Sequence, residues 1–183
     1  GPNATVCAGS DFEFQGSYSY TTTNPANPSN VWQYWTPAAG MSVTGAHIAV
    51  CPSNPAKIYT YLCGEGGNLG GYIGVFKSSN SGATWSNTHP TNAIGQPYTI
   101  PGHTNLMDAN GVDWFTQGFY DMAIIVNPNN ENQLIAGGCS WFKSDNGGQT
   151  WTALGAYVGG LSWSHPDIQA IAAVGNDLWI TSD

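Results

Sequence analysis

The chain has 183 residues, only 8% of them charged, and a formal net charge of −8 with three lysines and no arginine. Nucleic acids and anionic membrane surfaces both attract clustered cations, so this composition argues against either kind of partner. No apolar run reaches about 18 residues, so the sequence predicts no membrane-inserted segment.

The composition predicts an all-β protein. Aromatic residues make up 13% of the chain, and it contains 24 glycines and 11 prolines. Aromatic side chains favour strands, while glycine, proline and asparagine favour tight turns. The hydrophobic spacing of long amphipathic helices is absent from the sequence.

Residues 1–46 are predicted to be an irregular segment or an incomplete blade. Within them, SDFEFQGSYSY (10–20) and NVWQYW (30–35) are typical of strands. The intervening TTTNPANPSN (21–30) is rich in turn-forming residues and predicts a loop.

The rest of the chain contains an internal repeat. Residues 47–88 and 118–157 each predict four short strands, with a Phe-Lys-Ser strand and a Gly-containing turn before Thr-Trp. A long connecting loop, 89–117, separates the two copies, and 158–183 starts a third copy that includes two strands. Repeats of this length with four strands indicate antiparallel β-propeller blades, here a partial propeller of about two and a half blades.

The strongest motif is a turn that occurs once in each full copy. SSNSGATW (78–85) and SDNGGQTW (144–151) both fit the pattern S-x-N-x-G-x-T-W. The Asn side chain can accept hydrogen bonds from nearby backbone amides, and Gly permits the turn's unusual backbone angles. We interpret the motif residues as structural: Ser78, Asn80, Gly82, Thr84, Trp85, Ser144, Asn146, Gly148, Thr150 and Trp151.

These turns resemble the Asp-box, or BNR repeat, with Asn in place of the usual Asp. GFYDMAIIVNPNNENQLIAGG (118–138) and HPDIQAIAAVGNDLWITSD (165–183) resemble blade segments of sortilin-like and xyloglucanase-like Asp-box propellers, although Gln169 stands where those families usually have His. The resemblance spans about residues 46–183. It implies a secreted or cell-surface bacterial protein, of a kind often exported by the type IX system. The fold hosts hydrolases, receptors and scaffolds alike, so the resemblance indicates a fold better than a function.

The cysteine spacing predicts no metal site and no cofactor. None of the four cysteines forms a C-x-x-C pair or a Cys/His cluster with zinc-like spacing. Cys51 and Cys63 flank a predicted hairpin and could form a disulfide. Alternatively, the cysteines are buried thiols in a strand-rich core.

The candidate site residues lie on the long connections. In an up-and-down blade, the connections between strands 2 and 3 and between successive blades share one face, and here these are the long ones. Asp121 and Asp167 each precede an inner strand and are expected at the mouth of the central channel, either as weak catalytic candidates or as caps that accept backbone N–H bonds. The ligand-binding candidates are Asp108, Asp113, Trp114, Tyr120 and His165.

Two functions fit these residues. The first is a secreted or cell-surface module that binds a glycan or a protein, or forms part of a larger exported surface protein. The alternative is a glycoside hydrolase of the xyloglucanase-like type, which would need two carboxylates across a cleft. A sialidase is rejected because it needs arginines for the substrate carboxylate. Since a closed ring needs at least about four blades, we expect further blades from the same chain or another.

Overall fold

The computed structural model describes residues 4–8, 17–22, 33–35, 42–65, 72–88, 120–157 and 162–183. Side chains are described from residue 45 onward within these ranges, except those of residues 64, 65 and 73. Every regular element in the described ranges is a strand, and all strand ladders are antiparallel, which confirms the all-β prediction. Within these ranges, no helix is long and apolar enough to span a membrane.

The N-terminal strands form a three-stranded sheet in the order β1 (Ala4–Ala8), β2 (Ser17–Thr22) and β3 (Gln33–Trp35). β2 overlaps the first segment predicted as a strand, and β3 lies within the second. However, β2 continues through Thr21 and Thr22, which were predicted to start a loop. Both threonines are held in the sheet because they pair with Thr5 and Ala4 of β1.

The next sheet has four strands in sequence order: β4 (Ser42–Val50), β5 (Ile58–Glu65), β6 (Tyr72–Ser78) and β7 (Ser86–Asn87). We call it the first blade. Each strand pairs with the next one along the chain, which is the meander of a propeller blade.

The second blade repeats this order with β8 (Ala123–Asn127), β9 (Asn130–Gly137), β10 (Trp141–Ser144) and β11 (Thr152–Gly155). The hairpin of β12 (Ile168–Val174) and β13 (Asp177–Ser182) follows.

The inner strands of successive sheets lie side by side. β8 contacts β4 of the first blade on one side and β12 on the other. Four-stranded meanders that meet through their first strands have the arrangement of a partial propeller, as the sequence predicted.

One hydrophobic core joins the two blades. Aromatic and aliphatic side chains of both sheets are buried in it, and Trp151 packs against its edge. Its largest fully buried members include Tyr59, Tyr61, Leu134, Phe142 and Met122.

Of the two alternatives for Cys51 and Cys63, the structure shows buried thiols and not a disulfide. Neither they nor Cys139 form a disulfide, and all three are buried, as the alternative prediction held. Cys63 pairs with Gly45 across the ladder, six residues before Cys51. At about 3.3 Å per residue the two sulfurs lie near opposite ends of the hairpin, too far apart to bond.

Candidate functional site

The two motif turns are held by the same hydrogen bonds. In the 78–85 turn, Asn80 Oδ1 accepts from Thr84 N at 2.9 Å, and Ser78 Oγ accepts from Gly82 N at 2.8 Å. In the 144–151 turn, the equivalent bonds to Asn146 Oδ1 and Ser144 Oγ are both 2.9 Å. This confirms the predicted Asn contact with the backbone. The polar atoms of these side chains bond within the turn, which fits a structural role.

The Asn amide group explains why the motif tolerates Asn. Asn146 Nδ2 donates to Thr150 Oγ1 at 2.8 Å. An Asp at this position would accept from the Thr150 hydroxyl instead, so Asn146→Asp is expected to leave stability nearly unchanged. Asn146→Ala removes all three hydrogen bonds of the side chain, with Ser144 Oγ, Thr150 Oγ1 and Thr150 N, and is expected to lower the free energy of unfolding by about 1–3 kcal/mol. Urea denaturation of both variants measures this, and equal losses in the two would contradict it.

The turns between the first two strands of each blade share a face with the motif turns. Ser81 N donates to Ala56 O at 2.9 Å, and Gly147 N donates to Asn132 O at 2.7 Å. On the same face, Lys57 crosses between the blades to Glu131 at 3.0 Å and to Asn132 at 2.7 Å. These contacts give the face a structural role, as predicted.

A cleft of about 230 Å³ opens at this end, between β8 and the β12–β13 turn. Its lining is aliphatic and amide-rich, with Asp177 as its one titratable side chain. A cleft with one carboxylate and no partner for it does not provide an acid–base pair.

At the opposite face, the structure brings Asp121 and Asp167 together. Asp121 lies just before β8 and Asp167 just before β12, and these two strands are neighbours. Asp108, Asp113 and Trp114 lie outside the described residues.

Asp121 is buried rather than open to a channel mouth. Its exposed fraction is 0%, so the expectation of an accessible carboxylate is wrong for this residue. Oδ1 accepts from Gln169 Nε2 at 2.7 Å, while Oδ2 is buried without a hydrogen-bond partner. The alternative prediction was that Asp121 accepts a hydrogen bond from a backbone N–H. Instead, the donor to Oδ1 is the side-chain amide of Gln169.

The connection between β9 and β10 covers this position. Ile168 N donates to Gly138 O at 2.8 Å, which fixes the start of β12 against the loop that carries Cys139. Asp121, Cys139 and Asp167 each place one possible ligand atom within 4.8 Å of the others. Asp167 adopts a φ of 68°, a left-handed conformation that is uncommon for a residue other than Gly.

The environment of Asp121 opposes its ionisation. Burial is the largest cause of a rise in the pKa of Asp121 from 3.8 to about 7. The negative charge of Asp167 and a hydrogen bond with its carboxyl group also contribute to this rise. The hydrogen bond from Gln169 favours the ionised form but is the weaker influence. At neutral pH the Asp121 carboxyl is therefore poised between its two protonation states.

The segments that lead into β8 and β12 also carry exposed aromatic groups. Trp163 is 72% exposed and is positioned by backbone bonds of Ser162 and Ser164 to Ala156, both 3.2 Å. Its ring meets that of His165 edge-on with centroids 6.3 Å apart. Tyr120 is 54% exposed and donates from its hydroxyl to Asp183 Oδ2 at 3.4 Å. The nearby Asp183, Asp121 and Asp167 contribute to raising the pKa of Tyr120, with Asp183 the largest contributor.

Sequence reasoning missed three members of this group: Cys139, Gln169 and Asp183. Cys139 follows a Gly-Gly pair in the connection between strands 2 and 3, which topology places at the same end as the connections between blades. That placement was the available signal for Cys139. Nothing in the spacing indicated Gln169 or Asp183.

Comparison with solved structures finds several matching chains. No family model matches the sequence, and no curated protein matches it. An ancestral GH74 enzyme is similar in structure, with 18% identity and a TM-score of 0.46 over 89% of this chain. The chain spans only 18% of that enzyme's length. The fold assignment therefore rests on the blade topology itself.

Proposed function

We propose that this chain is part of a secreted or cell-surface Asp-box β-propeller that binds a carbohydrate through its Tyr120/Trp163 face. The observation that carries the proposal is the exposed Tyr120 ring beside the Asp183 carboxylate, together with the exposed Trp163 ring on the segment that leads into Asp167 and β12. Aromatic rings stack on the apolar faces of sugars, and carboxylates accept hydrogen bonds from their hydroxyl groups.

The surroundings of these rings support a neutral, hydroxyl-rich ligand. Among the described residues, the charged groups that act on Tyr120 are carboxylates, and the chain has no arginine that could pair with an acidic sugar. A polyanionic ligand would be repelled by these carboxylates, whereas a neutral glycan would not. The sequence analysis also suggested that the module could bind a protein instead of a glycan.

The test is isothermal titration of the protein with neutral plant and microbial polysaccharides and their oligosaccharides. Trp163→Ala and Tyr120→Ala are expected to weaken binding by roughly tenfold or more each, since each removes a stacking ring. Trp179→Ala is the matched control. Trp179 is 62% exposed, but it pairs with Ala172 in mid-strand, four residues from the start of β12.

An equal loss in the Trp179→Ala variant would place the binding surface elsewhere. If the wild-type protein binds none of the glycans, the carbohydrate proposal fails and a protein partner becomes the candidate to pursue.

The second candidate is a glycoside hydrolase, which the proximity of the Asp121 and Asp167 carboxyl groups favours. Their closest ligand atoms lie within 4.8 Å. This distance is well below the separation of about 6.5–9.5 Å in an inverting pair and is nearer to that of about 5–5.5 Å in a retaining pair. The burial of Asp121 opposes this candidate, because a catalytic acid must reach the glycosidic oxygen. Hydrolysis, and not binding alone, would be favoured if the wild type releases reducing sugar from a polysaccharide and both Asp121→Asn and Asp167→Asn abolish this release.

A further inference from the structure

Three side chains from separate segments converge under the Tyr120/Trp163 face. Asp121 precedes β8, Cys139 lies between β9 and β10, and Asp167 precedes β12, yet their possible ligand atoms all lie within 4.8 Å of one another. We propose that Asp121, Cys139 and Asp167 bind a divalent transition-metal cation of the Zn²⁺ class. This site is additional to the proposed glycan surface and does not depend on it.

The unpartnered oxygen of Asp121 points to a missing ligand. Gln169 holds Oδ1 at 2.7 Å, whereas Oδ2 is buried and has no partner unless it shares a proton with the Asp167 carboxyl group. A buried polar atom without a partner is costly, and one in a carboxylate especially so. A cation among the three side chains would give this oxygen its partner.

Among the described residues, no cationic side chain acts on Asp121. The charged groups that act on Asp121 are other carboxylates, those of Asp167 and Asp183. Lys57 pairs with Glu131 and Lys143 with Asp145, both at the face of the motif turns. Two acidic groups that lie close together in a buried or half-buried position therefore favour binding of an external cation.

The donor set selects the class of metal. Thiolate sulfur binds Zn²⁺ well and Ca²⁺ or Mg²⁺ poorly, while carboxylates accept all three. In a tetrahedral zinc site, neighbouring ligand atoms are about 3.5 Å apart, so small side-chain rotations would bring the three groups into range. Asp167 is half-buried, so a cation could reach the three side chains from solvent. The Gln169 amide would orient Asp121 from outside the coordination sphere.

The experiment is titration of the chelator-stripped full chain with Co²⁺, followed by competition with Zn²⁺, in the absence of glycan. We expect one Co²⁺ per chain, a near-ultraviolet cobalt–thiolate charge-transfer band, and displacement by Zn²⁺. Cys139→Ser is expected to abolish the band. Cys51→Ser should keep it, because Cys51 is an equally buried thiol that instead contacts Ser53 Oγ at 3.3 Å.

Carboxylate variants complete the test. Asp121→Asn and Asp167→Asn are each expected to weaken Zn²⁺ binding by roughly 10–100-fold or more, while Asp145→Asn should leave it unchanged. Absence of Co²⁺ binding, a Co²⁺ complex without the charge-transfer band, or a band that persists in Cys139→Ser would overturn the proposal. Ca²⁺ binding as tight as Zn²⁺ binding would overturn it too. If Cys139→Ser does not fold, the proposal is still tested by the charge-transfer band of the wild type and by the Zn²⁺ affinity of Asp167→Asn.

Discussion

Gly148→Ala is expected to lower the free energy of unfolding by about 2–5 kcal/mol, the largest loss for any one-carbon substitution in the motif turns. Gly148 has a φ of +85°, and an added Cβ would lie 2.9 Å from Thr88 Oγ1 and 3.1 Å from Thr88 Cβ. The left-handed backbone accounts for about 1–2 kcal/mol of this loss and the steric overlap for about 1–3.

The position matters because Thr88 joins the two blades. Its hydroxyl lies 2.9 Å from both Val75 O of the first blade and Gly148 O of the second, and its side chain is buried. Gly148 O also accepts from Trp151 Nε1 at 3.0 Å. A methyl group at position 148 would therefore push apart the contact that holds the second motif turn against the first blade.

Gly175→Ala is the matched control. Gly175 also has a left-handed φ, +62°, but a Cβ there would meet nothing within 4 Å. Its substitution should cost only the backbone component, about 1–2 kcal/mol. Urea denaturation followed by tryptophan fluorescence compares the two, and equal losses would show that the Thr88 contact contributes nothing.

The blades could be predicted because their determinants are local. The Ser144–Trp151 and Ser78–Trp85 turns carry their own hydrogen-bonding partners within eight residues, so the motif alone specifies them. The four-strand order follows from short turns that force each strand to pair with the next one.

The chemistry near Asp121 could be predicted only in part. The sequence placed Asp121 and Asp167 at one end of adjacent inner strands, and the contact between β8 and β12 brings them together there. It did not foresee the burial of Asp121. Cys139 and Asp167 both lie close to the Asp121 carboxylate, and a backbone bond from Ile168 to Gly138 joins the two segments that carry them. Contacts between segments dozens of residues apart leave no spacing signature in a single sequence.

The pH dependence of stability is expected to be dominated by Asp121 between about pH 4 and 7 in metal-free protein. The folded protein raises the pKa of Asp121 from 3.8 to about 7, so within this range the folded state holds a proton that the unfolded state releases. Stability that depends on this proton is fully present below about pH 4 and is lost as the pH rises through 7. A raised carboxyl pKa thus makes the protein less stable at neutral pH than in mild acid.

Asp121→Asn should remove this dependence. An Asn side chain keeps the oxygen that accepts from Gln169 and places an amide donor beside Asp167, so the variant mimics the protonated carboxyl. We expect it to match the wild type at pH 4 and to exceed its stability at pH 8 by roughly 2–4 kcal/mol. The measurement is urea denaturation from pH 4 to 8 with a chelator present, so that bound metal does not mask the titration.

Asp145→Asn separates this effect from general charge removal. Asp145 is exposed, and hydrogen bonds from Gln133 and Lys143 lower its pKa, so its contribution is lost only as the pH falls below the ordinary carboxyl range. Its variant should therefore keep the wild-type decline between pH 4 and 8. If Asp121→Asn also keeps that decline, the proton resides on another group, and the buried carboxyl must be ionised throughout.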